Sequence, residues 1–139
     1  MGRGVFLIRN DEELKRYLTK TQVAYIQEYL HLERDLRVIL INHKVILSYW
    51  KIAPMGEFRN NLAQGAVIDF AHIPPEALVF ASEVTRGCNF DDVGLDLCHT
   101  PEKGWMVLEA NMNYGQEGLR IKGLDRRSIL RGLVLAGKI

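Results

Sequence analysis

The sequence predicts an α+β fold, an antiparallel β-sheet flanked by helices, from three observations. Apolar runs of strand length outnumber helical stretches. Two pairs of runs are joined by turn residues, at Asn42-His43 and at Pro101–Gly104. Helix-start residues stand at Asn10, at Pro74-Pro75 and at Asp125. The 139 residues suffice for one domain, 1–139, with a real core.

Taken in order, Gly4 to Ile8 ("GVFLI") reads as a short strand that begins almost at the first residue. A strand so close to the start is read as the sign of a fragment of a longer protein. Asn10 caps a helix over "DEELKRYLTK", with acids in the first turn and lysine towards the end, as the helix dipole favours. Val23 to Tyr29 ("VAYIQEY") is the next expected strand. Asp35 to Ile41 and Lys44 to Lys51 form a hairpin around Asn42-His43. Ile52 to Gly65 is a polar loop without a period. A helix opens at Pro74-Pro75 and runs towards Gly87, with Ala77, Phe80, Ala81 and Val84 on one face. A second hairpin follows. Asp125 caps the last helix, "RRSILRGLVLAG", whose Arg126, Arg127 and Arg131 read as a solvated face.

Composition narrows the function. With 47% hydrophobic and 25% charged residues the chain is an ordinary globular protein. A net charge of +1 argues against nucleic acid as a partner. No apolar run approaches the roughly 18 residues of a membrane span, and the N-terminus lacks the layout of a signal peptide. Cys88 and Cys98 form no metal-ligand spacing with His31, His43, His72 or His99, so they read as free thiols of a cytoplasmic protein.

The second hairpin carries the chemistry. With Glu102 and Lys103 at the turn centre, Asp96 faces Glu109, Cys98 faces Val107 and Gly94 faces Asn111. Val93, Leu95 and Leu97 then share a core face with Met106, Leu108 and Ala110, while Asp96, Glu109 and Asn111 share the other. Opposed carboxylates repel, and a hard cation would reverse the penalty. Two carboxylates and an amide oxygen suit magnesium, which commonly adds phosphate and water ligands. The other reading of the same residues is a solvated polar sheet face.

Glu109-Ala-Asn111 at a strand end, with Asp96 thirteen residues upstream, resembles the magnesium site of ATP-grasp ligases. "YIQEYL" (Tyr25 to Leu30) is similar to the strand-to-hinge segment that holds adenine in that superfamily. "RDLRVILINHKVILSYWK" is similar to its following hairpin, and "GEFRNNLAQGA" to a loop of the RimK-type branch, which attaches glutamate to a ribosomal protein. "EGL" at Glu117 to Leu119 fits the end of the substrate loop. The resemblance implies the C-terminal lobe of an ATP-grasp fold, with the first lobe upstream of Met1.

It also implies roles. Glu28 and Tyr29 would lie at the adenine hinge, and Asp35 would reach the ribose or the nucleotide's polar edge. Lys51 would face phosphates. Arg59 and Asn61 would contact the phosphates or an acyl-phosphate intermediate. Asp96, Glu109 and Asn111 would hold magnesium, with manganese as a substitute. Gly2 and Gly4 resemble the tail of the glycine-rich loop over the triphosphate. The implied activity is ATP-dependent joining of a carboxylate to an amine, with amino-acid or peptide-like substrates. The loop "NMNYGQEG" departs from the usual Ser-Pro-Gly version, which leaves the acceptor open. As an isolated lobe the chain is expected to be inactive, and its uncovered apolar surface to favour homo-oligomers. The competing reading is a non-catalytic nucleotide-binding or interaction module. Locally, Glu28 also reads as an exposed strand-end acid, Lys51 as a solvated edge-strand lysine, Arg59 as a surface arginine, and Asp35 as a partner of Arg34 or Arg37.

Overall fold

The computed structural model describes residues 5–53 and 66–139. Its elements are α1 (Asp11–Leu18), β1 (Arg34–Ile41), β2 (Lys44–Ile52), β3 (Val67–Asp69), α2 (Pro75–Cys88), β4 (Asp92–Thr100), β5 (Gly104–Asn111), α3 (Glu117–Ile121) and α4 (Arg126–Leu135). The strands form one sheet in the order β3-β2-β1-β4-β5, and every neighbouring pair is antiparallel. The fold is therefore α+β, as expected.

The helices start where capping residues stand. The Asn10 side chain accepts from the Glu13 N–H at 2.9 Å, and Asp125 accepts from the Ser128 N–H at 2.8 Å. The Ser128 N–H and hydroxyl, both donating to it, hold the Asp125 carboxyl below the usual range. Pro75 opens α2, and Asn89 closes it in the left-handed conformation at φ 54°. Ala77 and Ala81 bring α2 onto Leu36, Val38 and Leu40 of β1 and Val93, Leu95 and Leu97 of β4. These residues, all buried, are the main core.

The first hairpin closes at Asn42 and His43, both with positive φ (48° and 61°), and pairs Ile41 with Lys44. The second differs from expectation by one residue. Thr100 pairs with Gly104, so the loop has three residues, Pro101 to Lys103, and Gly104 takes φ +70°. Trp105 thus packs towards the main core, and Met106 faces Cys98 instead of sharing a face with Leu97. A bulge then adds Leu108 between the Leu97–Val107 and Asp96–Glu109 pairs, which restores the expected register beyond it.

Two expected strands are absent. Val5 to Ile8 and Val23 to Tyr29 have no regular structure. A strand exists only where a neighbour offers a hydrogen-bonding ladder. The second segment makes one described hydrogen bond to β5, from the Gln27 amide to the Leu108 carbonyl at 3.5 Å. Its apolar residues stay outside: Val23, Tyr25 and Ile26 are largely exposed. The short elements β3 and α3 were not foreseen. Among the described residues no helix is long and apolar enough to cross a membrane.

Candidate functional site

The sheet face opposite α2 has two halves. In one, Ile39, Tyr49, Tyr114 and Leu119 form a small apolar core. In the other, alternation puts Asp35 and Arg37 of β1 beside Lys51 of β2 and Asp96 of β4. All four are under a tenth exposed.

They neutralise each other. The Arg37 guanidinium donates from Nε to Asp96 Oδ1 at 2.6 Å and from Nη2 to Oδ2 at 2.8 Å, a two-pronged grip that lysine cannot make. Lys51 Nζ lies 3.0 Å from Asp96 Oδ1 and 3.2 Å from Asp35 Oδ1. Burial opposes the charge on Arg37, but the hydrogen bond and charge of Asp96 outweigh it and push the guanidinium pKa up. Asp35 responds the other way. Burial, aided by Asp96 and opposed by Lys51, raises its carboxyl from 3.8 to about 7. Near neutrality this cluster therefore holds two cations against fewer than two anions, which suits an approaching phosphate. Burial also pushes the Cys98 thiol up, with Asp35 adding to it.

Asp96 pairs with Glu109 and Gly94 with Asn111. Glu109 is exposed and Asn111 half-buried, so the network opens to solvent along β5. Each carboxylate oxygen has two lone pairs, and Arg37 Nη2 engages one of those on Asp96 Oδ2. Asp96, Glu109 and Asn111 thus present hard oxygens of the kind magnesium takes, and the donor chemistry fits. Among the described residues no group of three or more His, Cys, Asp and Glu could hold a metal, so the Asn111 amide is needed to complete three donors.

The structure brings Asp35, Lys51 and Asp96 together and sets Glu109 and Asn111 beside them. Lys51 is not a solvated edge lysine, and Asp35 pairs with Lys51 rather than with Arg34 or Arg37, whose guanidinium bonds Asp96. Glu28 and Tyr29 lie on the exposed segment beside β5. Glu28 pairs with Lys103, and the Tyr29 hydroxyl lies 3.4 Å from His31 Nδ1. Arg59, Asn61, Gly2 and Gly4 lie outside the described residues. Arg37 was missed as a site residue, although its place two residues after Asp35 already put both on one face. Arg126 belongs to no solvated face, because it grips Asp92 from Nε at 3.0 Å and Nη2 at 2.5 Å. Arg127 and Arg131 are exposed, as expected.

Comparison with known proteins places this sheet in a family. The RimK-like ATP-grasp domain matches residues 1–130, and the chain belongs to that family. A probable alpha-L-glutamate ligase of Parasynechococcus marenigrum is 30% identical over 124 residues, covering 85% of this chain and 26% of the relative. Its counterpart in Pseudomonas putida is 29% identical, over 86% of this chain and 42% of the relative. Beta-citrylglutamate synthase B of Danio rerio is 28% identical over 97% of this chain and 35% of the relative. The chain therefore spans about a quarter to two-fifths of these relatives. Among solved structures, the ATP-grasp ligase PsnB complexed with minimal precursor, Mg and ADP superimposes with a TM-score of 0.58 at 20% identity, over 79% of this chain and 35% of that one. The macrocyclase MdnB of Microcystis aeruginosa gives 0.51 at 16% identity, over 85% and 42%. These likenesses establish the ATP-grasp fold.

Proposed function

We propose that the chain is the C-terminal lobe of an ATP- and magnesium-dependent carboxylate–amine ligase of the RimK type. The observation that carries this reading is the buried Asp35–Arg37–Lys51–Asp96 network opening onto Glu109 and Asn111. Cations held by buried carboxylates stay fixed, so they meet a phosphate without reorganising. In this reading Glu28 and Tyr29 border the base, and Asp35 sets the charge beside Lys51. Arg59 and Asn61 reach the phosphates or the intermediate, and Asp96, Glu109 and Asn111 hold the metal. Magnesium supplies charge neutralisation on the phosphates; manganese is a substitute.

The reaction has two displacements. A substrate carboxylate oxygen attacks the γ-phosphorus, the bond to the bridging oxygen breaks and ADP leaves. The amine nitrogen then attacks the acyl carbon, loses a proton, and phosphate departs with the bonding pair. Arg37 and Lys51 stabilise the negative charge on the transferring group, with no covalent enzyme nucleophile needed. The substrates are an amino-acid or peptide-like carboxylate and an amine, and the setting is the cytoplasm. The 139 residues alone bind but do not turn over, and they self-associate through exposed apolar surface.

Both Asp96 oxygens already meet cations, which favours a second reading, a module that binds nucleotide without metal. Manganese titration with and without ATP, followed by paramagnetic NMR broadening, separates the two. The ligase reading expects broadening at Asp96, Glu109 and Asn111, strengthened by ATP and lost in Glu109→Gln. Nucleotide binding that ignores manganese and Glu109→Gln would instead establish the module.

A further inference from the structure

We infer that Tyr114 is a positioning residue that fastens the segment leaving β5 to the sheet, and with it the Asn111 end of the candidate metal edge. The second half rests on the ligase reading above; the first stands on geometry alone. Asn111 ends β5, and the chain then runs through Met112, Asn113 and Tyr114 to α3. Met112 and Asn113 are exposed, whereas Tyr114 is 5% exposed, so this short connection has one buried anchor.

Tyr114 is held at both ends of its side chain. Its hydroxyl donates to Asp92 Oδ1 at 2.8 Å. The other oxygen of Asp92 accepts both Arg126 hydrogen bonds, and the Arg126 guanidinium sits 5.0 Å from the Tyr114 ring centre. At the other end, Tyr114 fills the space above Gly94. A Cβ on Gly94 would lie 2.7 Å from Tyr114 Cβ and 3.0 Å from Arg37 Nη1. That glycine is therefore what lets the tyrosine reach the sheet beside the guanidinium that grips Asp96. Gly94 is also the residue paired with Asn111. Tyr114 thus touches the strand position opposite Asn111 while being only three residues further along the chain.

This contact accounts for the tyrosine in a loop where the resemblance leads one to expect proline. Proline would fix the turn through its own ring, whereas here a phenol fixes it through the sheet. It also removes Tyr114 from substrate contact, since the ring is buried and the hydroxyl proton is given to Asp92. Met112 and Asn113 are left as the side chains that present themselves beyond the metal edge.

The test uses the full 139-residue chain with Tyr114→Phe, which keeps the ring and removes the Asp92 bond. Backbone hydrogen exchange should quicken about five- to ten-fold for residues 111–119 and stay unchanged in β1 and β2. In the same variant, manganese broadening of the Asn111 side-chain amide should weaken several-fold. Asp92→Ala, which removes the acceptor, should quicken exchange over the same residues, and combining it with Tyr114→Phe should add little there. Unchanged exchange at 111–119, or equal quickening throughout the sheet, would overturn the tether. If exchange responds locally but wild-type Asn111 never broadens, the tether stands and the metal reading falls.

Discussion

Strand β1 shows two faces that are equally dry and differ in every other respect. Towards α2 it turns Leu36, Val38 and Leu40, all fully buried. Away from α2 it turns Asp35, Arg37 and Ile39, and the two charged residues are only 7% and 8% exposed. Alternation of polar and apolar residues is usually read as one wet face and one dry. Here the polar row is covered too. The first face gains free energy from every atom removed from water. The second loses hydration and recovers it only through geometry, with charges set against each other at 2.6 to 3.2 Å. In the ligase reading proposed above the arrangement is kept for what the charges do, so the costly face is where function is to be sought.

Truncation should separate the faces. Leu97→Ala removes buried volume and should lower stability by about 2–5 kcal/mol in urea denaturation. Arg37→Met should cost about 3–5 kcal/mol for a different reason, since it leaves Asp96 buried with Lys51 as its remaining described partner. The second change tells them apart. Adding Asp96→Asn to Arg37→Met should restore part of the loss, because the unpaired charge goes. Adding Leu36→Ala to Leu97→Ala should deepen it. Equal deepening on both faces would break the distinction.

Acid sharpens it further. Asp35 is held at about 7 in the folded chain against 3.8 for the free side chain. The folded state therefore takes up the proton more readily than the unfolded one. Its contribution to stability is fully present below about pH 4 and is lost as the pH rises through about 7, then stays level. The slope is at most about 1.4 kcal/mol per pH unit. The measurement is the stability of wild type minus that of Asp35→Asn from pH 4 to 8. That difference should fall with rising pH. A flat difference would mean that Asp35 is charged in both states.

How much of this could be read from residues follows from how far apart the partners lie. The hairpin at Asn42-His43 was legible because two small-turn residues sit between two apolar runs. The expected pairing of Asp96 with Glu109 holds although the loop is one residue longer than the sequence predicts, because the Leu108 bulge cancels the difference. Glycine at 104, with φ +70°, was the available sign of the longer loop. Arg37 was not assigned to Asp96 because their contact spans 59 residues and requires knowing that β4 lies beside β1. No local pattern states that. The Asp92–Tyr114–Arg126 cluster was hidden for the same reason. Val23 to Tyr29 failed in the opposite sense: its local pattern is strand-like, and no described strand pairs with it.

That exposed segment supplies the smallest expected effect. Glu28 meets Lys103 in an ion pair, as Asp96 meets Lys51, but its side chain is 65% exposed and that of Lys103 47%. Water and salt screen such a pair, and both side chains give up conformational freedom to form it. Glu28→Gln should therefore change stability by no more than about 0.5 kcal/mol, and added salt should erase the difference. The same chemical pair thus differs by several-fold in worth according to burial alone. A loss above about 1 kcal/mol would mean that residues 25–29 are packed against β5 in solution rather than laid along it. The exposed arm would then have to be counted with the sheet, and the contrast between buried network and surface pair would no longer hold. A small loss leaves Glu28 free to exchange Lys103 for a ligand at little cost, which is what its proposed place beside a nucleotide base requires.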